Sequence, residues 1–171
     1  MRLKPGISAF MGMALMAIAP NTMAIADTIK IGEINHYKRM AAFAGPYKQG
    51  IELGLEEANA SGGVLDKKIE FIFRDDQGKP GEAVKIAEEL MTRDGAVMIT
   101  GTILSHVGLA ISSLAGEKGY VYLASEPLAD SIVWAKGNKY TYRLRTSTFM
   151  QAAMLAEEAA KTDAKRFATI A

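Results

Sequence analysis

Apolar residues along this chain change rhythm at regular intervals. Residues 28–34 place Ile29, Ile31 and Ile34 around Gly32, the near-alternation of a short strand entering a core. An irregular stretch, 35–44, follows. From Gly45-Pro46 the spacing turns helical: Tyr47, Ile51, Leu55 and Ala58 share one stripe, with Glu52, Glu56 and Glu57 outside it. Proline is expected in the first turn, where its missing N–H has no intrahelical partner to lose. Ser61-Gly62-Gly63 ends this helix, because glycine tolerates the left-handed cap. Residues 68–74 alternate again as a second strand, closed by Asp75-Asp76-Gln77-Gly78. Residues 82–93 carry a helical apolar face closed by Asp94-Gly95. Residues 96–100 form a short apolar run, the kind of strand expected where both faces are covered. A helix over 105–118 stops at Gly119, and a fourth strand covers 120–124. Residues 125–136 read as a loop with a short helix, and 140–145 as a fifth strand. An amphipathic helix over 148–161 precedes the start of a further strand at 166–170.

Strands alternating with helices at this spacing predict βαβ units: an α/β fold with a parallel sheet and helices on both faces. Such sheets bind ligands beyond the carboxyl ends of their strands. The segments of interest are therefore 35–43, 75–78, 101–106, 124–128 and 146–149. A strand that begins just before the last residue lacks its following helix, and the chain is expected to be a fragment.

Composition narrows the setting. Residues 1–26 read as a secretion signal peptide: Arg2 and Lys4, an apolar stretch over 7–19, then Ala24-Ile25-Ala26 as a cleavage site. The apolar stretch is shorter than the ~20 residues a membrane span needs. Without Arg2 and Lys4, 18 basic residues face 19 acidic ones, so the mature chain is nearly neutral. Nucleic acid, which calls for a basic face, is not expected as a partner. With no cysteine, disulfide frameworks and thiolate metal sites are excluded.

Few residues suggest catalysis. No Walker A loop or G-x-G-x-x-G follows a strand. His36 and His106, the two histidines, do not form an i, i+4 pair, so no metal site is expected. Ser105 and His106 are neighbours whose side chains diverge on a helix, and the G-x-S-x-G elbow of hydrolases is absent. Asp75-Asp76 could hold a cation or act as an acidic pair, but reads first as a turn and cap. Residues 101–106 have the better physical claim, since a helix N-terminus presents unsatisfied N–H groups and partial positive charge to a carboxylate. Gly101 allows close backbone approach. Ser105 can either cap the helix or turn its hydroxyl to a ligand, and the stretch by itself leaves both open.

Three stretches carry a family resemblance. They are "IKIG" from Ile29, "GIELGLEEANASGGVLDKKIEFIFRDDQGKPGEAVKIAEEL" from Gly50, and "GTILSHVGLAISSLAGEKGYVYLAS" from Gly101 with the later "YTYRLRTS". Together they resemble the periplasmic leucine/isoleucine/valine-binding family, the type I solute-binding proteins of branched-chain amino acid ABC transporters. The likeness runs from Thr28 to the end. It implies two α/β lobes joined by a hinge, with residues 27–145 as a nearly complete first lobe. Residues 146–171 would be the hinge crossing and the first helix and strand of the second. The resemblance places Ser105 on the ligand's carboxylate, with Thr102 and His106 beside it, and draws Tyr37 or Phe43 from the loop after the first strand as an aromatic lid. That loop departs from the family's Gly/Ser-rich pattern. After the fourth strand, Ser125 and Glu126 line the site, and Leu128 stands where relatives that bind amino acids carry threonine. Aromatic carboxylates and amides are then as natural as branched-chain amino acids, with His36, Tyr37 and Phe43 suited to stack on a ring. The resemblance implies a monomeric periplasmic binding component without cofactor, metal or chemical step, docking on an inner-membrane permease. An extracellular sensor domain is the alternative, and a secreted enzyme built on Ser105, His106 and the aspartates a distant third. A fragment holding half the cleft is expected to bind weakly or not at all.

Overall fold

A computed structural model describes residues 28–168. Its elements run β1 (Ile29–Asn35), α1 (Ala41–Ala60), β2 (Ile69–Asp75), α2 (Pro80–Thr92), β3 (Met98–Gly101), α3 (Ser105–Lys118), β4 (Val121–Ala124), a 3-10 turn (Asp130–Ile132), β5 (Thr141–Arg143) and α4 (Thr148–Ala160). The five strands form one parallel sheet in the order β2-β1-β3-β4-β5. The chain thus winds outward in both directions from β1, the doubly wound plan expected of alternating strands and helices.

Side chains alternate across the sheet and separate its two faces. On one face, Gly32 and Ile34 of β1 meet α2 and α3. A Cβ on Gly32 would lie 2.8 Å from both Leu90 and Ile99, so glycine here lets α2 settle onto the sheet. The main core lies in this layer: Ile34, Ala83, Ala87, Leu90, Ile99, Val107, Ile111 and Tyr122 are buried. On the other face, Glu33 lies level with Phe73 of β2, and Lys48 of α1 sits 4.7 Å over the Phe73 ring. Helices therefore cover both faces, and the stripe Tyr47, Ile51, Leu55 and Ala58 turns α1 inward, half-buried.

Most strand and helix ends lie within one or two residues of expectation, and the larger differences fall at α1 and at the end of the chain. The first helix begins at Ala41, so Pro46 lies in its second turn rather than its first. The missing Pro46 N–H deprives the helix of one bond, and tertiary contacts outweigh that local preference. α4 ends at Ala160, and residues 166–168 form no strand. The rest of that expected strand, 169–170, lies outside the described residues, as does the expected signal peptide. Among the described residues no helix is long and apolar enough to cross a membrane.

Candidate functional site

Parallel register gathers the strand ends. Asn35 lies opposite Asp75, Ile34 opposite Gly101, and Gly101 opposite Ala124. The segments leaving these four strands consequently share one edge of the sheet.

At the β3 exit, Gly101 has φ 105°, and a Cβ there would lie 2.3 Å from the Ile34 carbonyl oxygen and 2.6 Å from Glu33 Oε1. Glycine is required for the strands to close over that carboxyl group. Thr102 continues the left-handed turn at φ 64°, donating its N–H to the Ile34 carbonyl at 2.7 Å. Its side chain is fully buried and its hydroxyl bonds the Tyr122 hydroxyl. Thr102 thus faces the core and supports the turn from beneath. The cap of α3 is Leu104, without a side-chain capping bond, so Ser105 is not the N-cap. Ser105 Oγ instead accepts the Ala129 N–H at 3.2 Å, tying α3 to the loop after β4. Intrahelical bonding begins with the Val107 and Gly108 amides, both on the Leu104 carbonyl. The amides of Ser105 and His106 precede it, at the positive end of the helix.

Beside this helix end lies a polar cluster. Asn35 Nδ2 donates to Glu33 Oε1 at 3.3 Å and to Glu126 Oε2, while the Tyr37 hydroxyl donates to Glu33 Oε2. The Tyr47 and Ser125 hydroxyls are 2.7 Å apart. Asn35 Oδ1 accepts the Ile103 N–H at 3.2 Å, which joins the cluster to the approach to α3. Glu33, Asn35, Ser125 and Glu126 are all buried. Loss of water pushes the Glu33 carboxyl up to about 8, against the opposing hydrogen bonds from Tyr37 and Asn35. Burial also raises Glu126, opposed by the Asn35 bond and the positive charge of Arg145. The Tyr47 phenol is pushed up to about 12 by burial. Near neutral pH the cluster can therefore both donate and accept hydrogen bonds.

A second group forms where β1 and β2 end. His36, 6% exposed, lies with Nδ1 3.8 Å from Asp75 Oδ1 and 3.6 Å from Asp76 Oδ1. The aspartates do make the expected turn: Asp75 Oδ1 accepts the Gln77 N–H and Asp76 Oδ1 the Gly78 N–H. His106 is exposed, its Nε2 3.3 Å from the Gly78 carbonyl oxygen.

Of the residues expected at a site, Tyr37, Ser125 and Glu126 come together, with Ser105 held to the same β4 loop and His106 nearer His36. Phe43 stands apart in the first turn of α1, 63% exposed. Sequence reasoning missed Glu33 and Tyr47, and marked Asn35 only as the first residue of the 35–43 segment. The signal for Glu33 was present, an acid on the inward beat set by Ile29 and Ile31. Tyr47 was read only as part of the apolar stripe.

Residues 28–171 match the family model described as periplasmic binding protein. Among curated relatives, a Leu/Ile/Val-binding protein homolog of Brucella suis is 30% identical over 138 residues, covering 80% of this chain and 33% of the relative. The chain spans about a third of the length of such relatives. A branched-chain amino acid transporter substrate binding protein of Streptococcus pneumoniae, solved in complex with isoleucine, superposes with TM-score 0.64 at 25% identity, over 71% of this chain and 34% of that one. An ABC transporter solute binding protein of Rhodopseudomonas palustris, solved with p-hydroxybenzoic acid, gives TM-score 0.66 at 25% identity, over 78% and 36%.

Proposed function

The chain belongs to the periplasmic binding protein family, and from that premise we propose that the whole protein is the substrate-binding component of an ABC importer. It works in the periplasm and holds a small carboxylate between two lobes. Residues 27–145 supply most of one lobe, and residues 146–171 lead into the other. The binding site performs no chemical step; closure of the lobes on the ligand creates the form that docks on the permease.

One observation carries this reading. The N-terminus of α3 opens at the strand-end edge with Gly101 behind it, and Ser105 and His106 present the amides that precede intrahelical bonding. A carboxylate placed there meets positive potential and N–H donors without a buried cation opposite. The Glu33–Asn35–Glu126 cluster then receives the polar remainder of the ligand: an ammonium, amide or phenolic hydroxyl. This chemistry fits amino acids and hydroxylated aromatic acids alike, the two ligand types seen in the Streptococcus and Rhodopseudomonas structures.

A thermal-shift screen of the whole protein against aliphatic amino acids, aromatic carboxylates and small amides tests the assignment. At least one carboxylate should raise the melting temperature and be recovered unchanged, and Ser105→Ala, which keeps the amide but removes the hydroxyl whose hydrogen is left to donate once its oxygen accepts from Ala129, should weaken its binding by about tenfold. A carboxylate consumed during incubation would overturn the transport reading. So would a screen in which only uncharged compounds bind.

A further inference from the structure

We propose that His36, Asp75 and Asp76 form a binding site for a divalent transition ion of the zinc type. The site is separate from the carboxylate seat and does not depend on the transport reading. It follows from β-sheet register: Asn35 pairs with Asp75, so the residues next in sequence, His36 and Asp76, leave the sheet side by side. One ligand atom from each of the three residues lies within 4.8 Å of the others. The Nδ1 distances of 3.6 and 3.8 Å to the two carboxylates already match the ~3–4 Å between ligand atoms bound at about 2.1 Å.

An acidic turn alone would be a commonplace. Here two buried side-chain atoms make no hydrogen bond among the described residues, His36 Nδ1 and Asp76 Oδ2. The Asp76 side chain is fully enclosed and that of His36 is 8% exposed. Buried polar atoms left unpaired have lost their hydration without compensation, and one cation between them satisfies both. The carboxylates are also aimed. The Gln77 N–H fixes Asp75 Oδ1 at 2.8 Å, the Gly78 N–H fixes Asp76 Oδ1 at 2.7 Å, and the Lys38 N–H holds Asp75 Oδ2 at 3.1 Å. Backbone donors of this kind orient the groups that grip a metal.

The donor set selects the ion. One imidazole with two carboxylates suits zinc and its neighbours, whereas calcium and magnesium prefer oxygen alone. Two negative charges and a neutral imidazole balance a divalent ion. Access is through a cleft of about 300 Å³ lined by His36, Lys38, Arg39, Gln77 and Lys79. Its three cations oppose an entering metal ion, so the expected affinity is micromolar rather than that of a structural zinc finger.

Isothermal titration of the chelator-stripped full chain with zinc chloride tests the proposal, with calcium and magnesium chloride as controls. One zinc per chain should bind with a micromolar Kd and raise the melting temperature, while the controls leave it unchanged. Asp76→Asn retains the oxygen that accepts the Gly78 N–H and should weaken zinc at least about tenfold. His36→Gln should do the same, and cobalt in place of zinc should give an absorption band that both variants lose. Absence of saturable zinc binding would leave a histidine–aspartate ion pair only and overturn the proposal, as would equal affinity in both variants or preference for calcium.

Discussion

The Glu33 carboxyl, packed against Gly101 and bonded to Asn35 and Tyr37, is deprived of the water that would stabilise its charge, and burial pushes it up to about 8. The unfolded chain returns it to the usual carboxylate range. Between about pH 4.5 and 8 the folded state then holds a proton that the unfolded state has released, so stability falls as pH rises through this window. Tyr37, Tyr47, Glu126 and Asp76 surround Glu33, and Glu126 and Asp76 are themselves raised by burial. Glu33→Gln removes one titrating group and keeps the shape. Urea unfolding at pH 5 and pH 8 should show wild type losing more stability than the variant over that interval, by up to ~1.4 kcal/mol per pH unit. Parallel pH dependences would show that Glu33 is ionised throughout. At this scale the sequence was only partly legible. Ser105 and Glu126 could be singled out from their segments. The partners of Asn35, by contrast, depend on contacts between residues 91 apart.

Local elements were read more successfully because their punctuation is local. α3 begins at Ser105 and ends at Lys118 as expected, with Gly119 in the left-handed cap at φ 72°. The Asn-Ala-x-Gly-Gly stretch also acquires a physical role. Asn59 accepts the Ile69 N–H and donates to the Ile69 carbonyl, both at 2.8 Å, thereby pinning the end of α1 to the start of β2. Gly63 follows at φ 82°, where a Cβ would lie 1.9 Å from the Lys67 carbonyl oxygen. Replacing Asn59 by Ala removes both bonds to the edge strand and should cost about 1–3 kcal/mol, read as a lower urea midpoint with an unchanged m-value. A neutral substitution would mean that water replaces the side chain fully. The start of α1 was misplaced for the opposite reason: Gly45-Pro46 is a strong local start signal, yet the helix already begins at Ala41 and runs through it. Ala44, fully buried in that extra turn, marks the packing that prevails over it.

The whole molecule divides unevenly. α2 and α3 press a continuous core onto the sheet, whereas α4 contains no buried residue and is tethered mainly at its start. Ser147 Oγ caps it through the Met150 N–H at 3.3 Å, Thr148 donates to the Leu128 carbonyl at 3.0 Å, and Phe149 meets Trp134 with ring centres 5.4 Å apart. Opening of such a helix exposes little apolar surface. In hydrogen exchange, the amides of residues 152–160 should therefore lose protection orders of magnitude sooner than those of 109–118. Equal protection would contradict the division proposed near residue 146. The parallel sheet and its strand-end edge were legible from alternating periodicity alone. The second cluster, at His36, was not, since only the pairing of β1 with β2 brings residues 36 and 76 together. The account rests on an anion seat at the start of α3, and amide NMR of the whole protein tests it most directly. Titration with the carboxylate that raises its melting temperature should move the Ser105 and His106 N–H resonances downfield, and the neutral methyl ester of that compound should not. Saturation by the carboxylate with both resonances unmoved would place the ligand elsewhere and contradict the account.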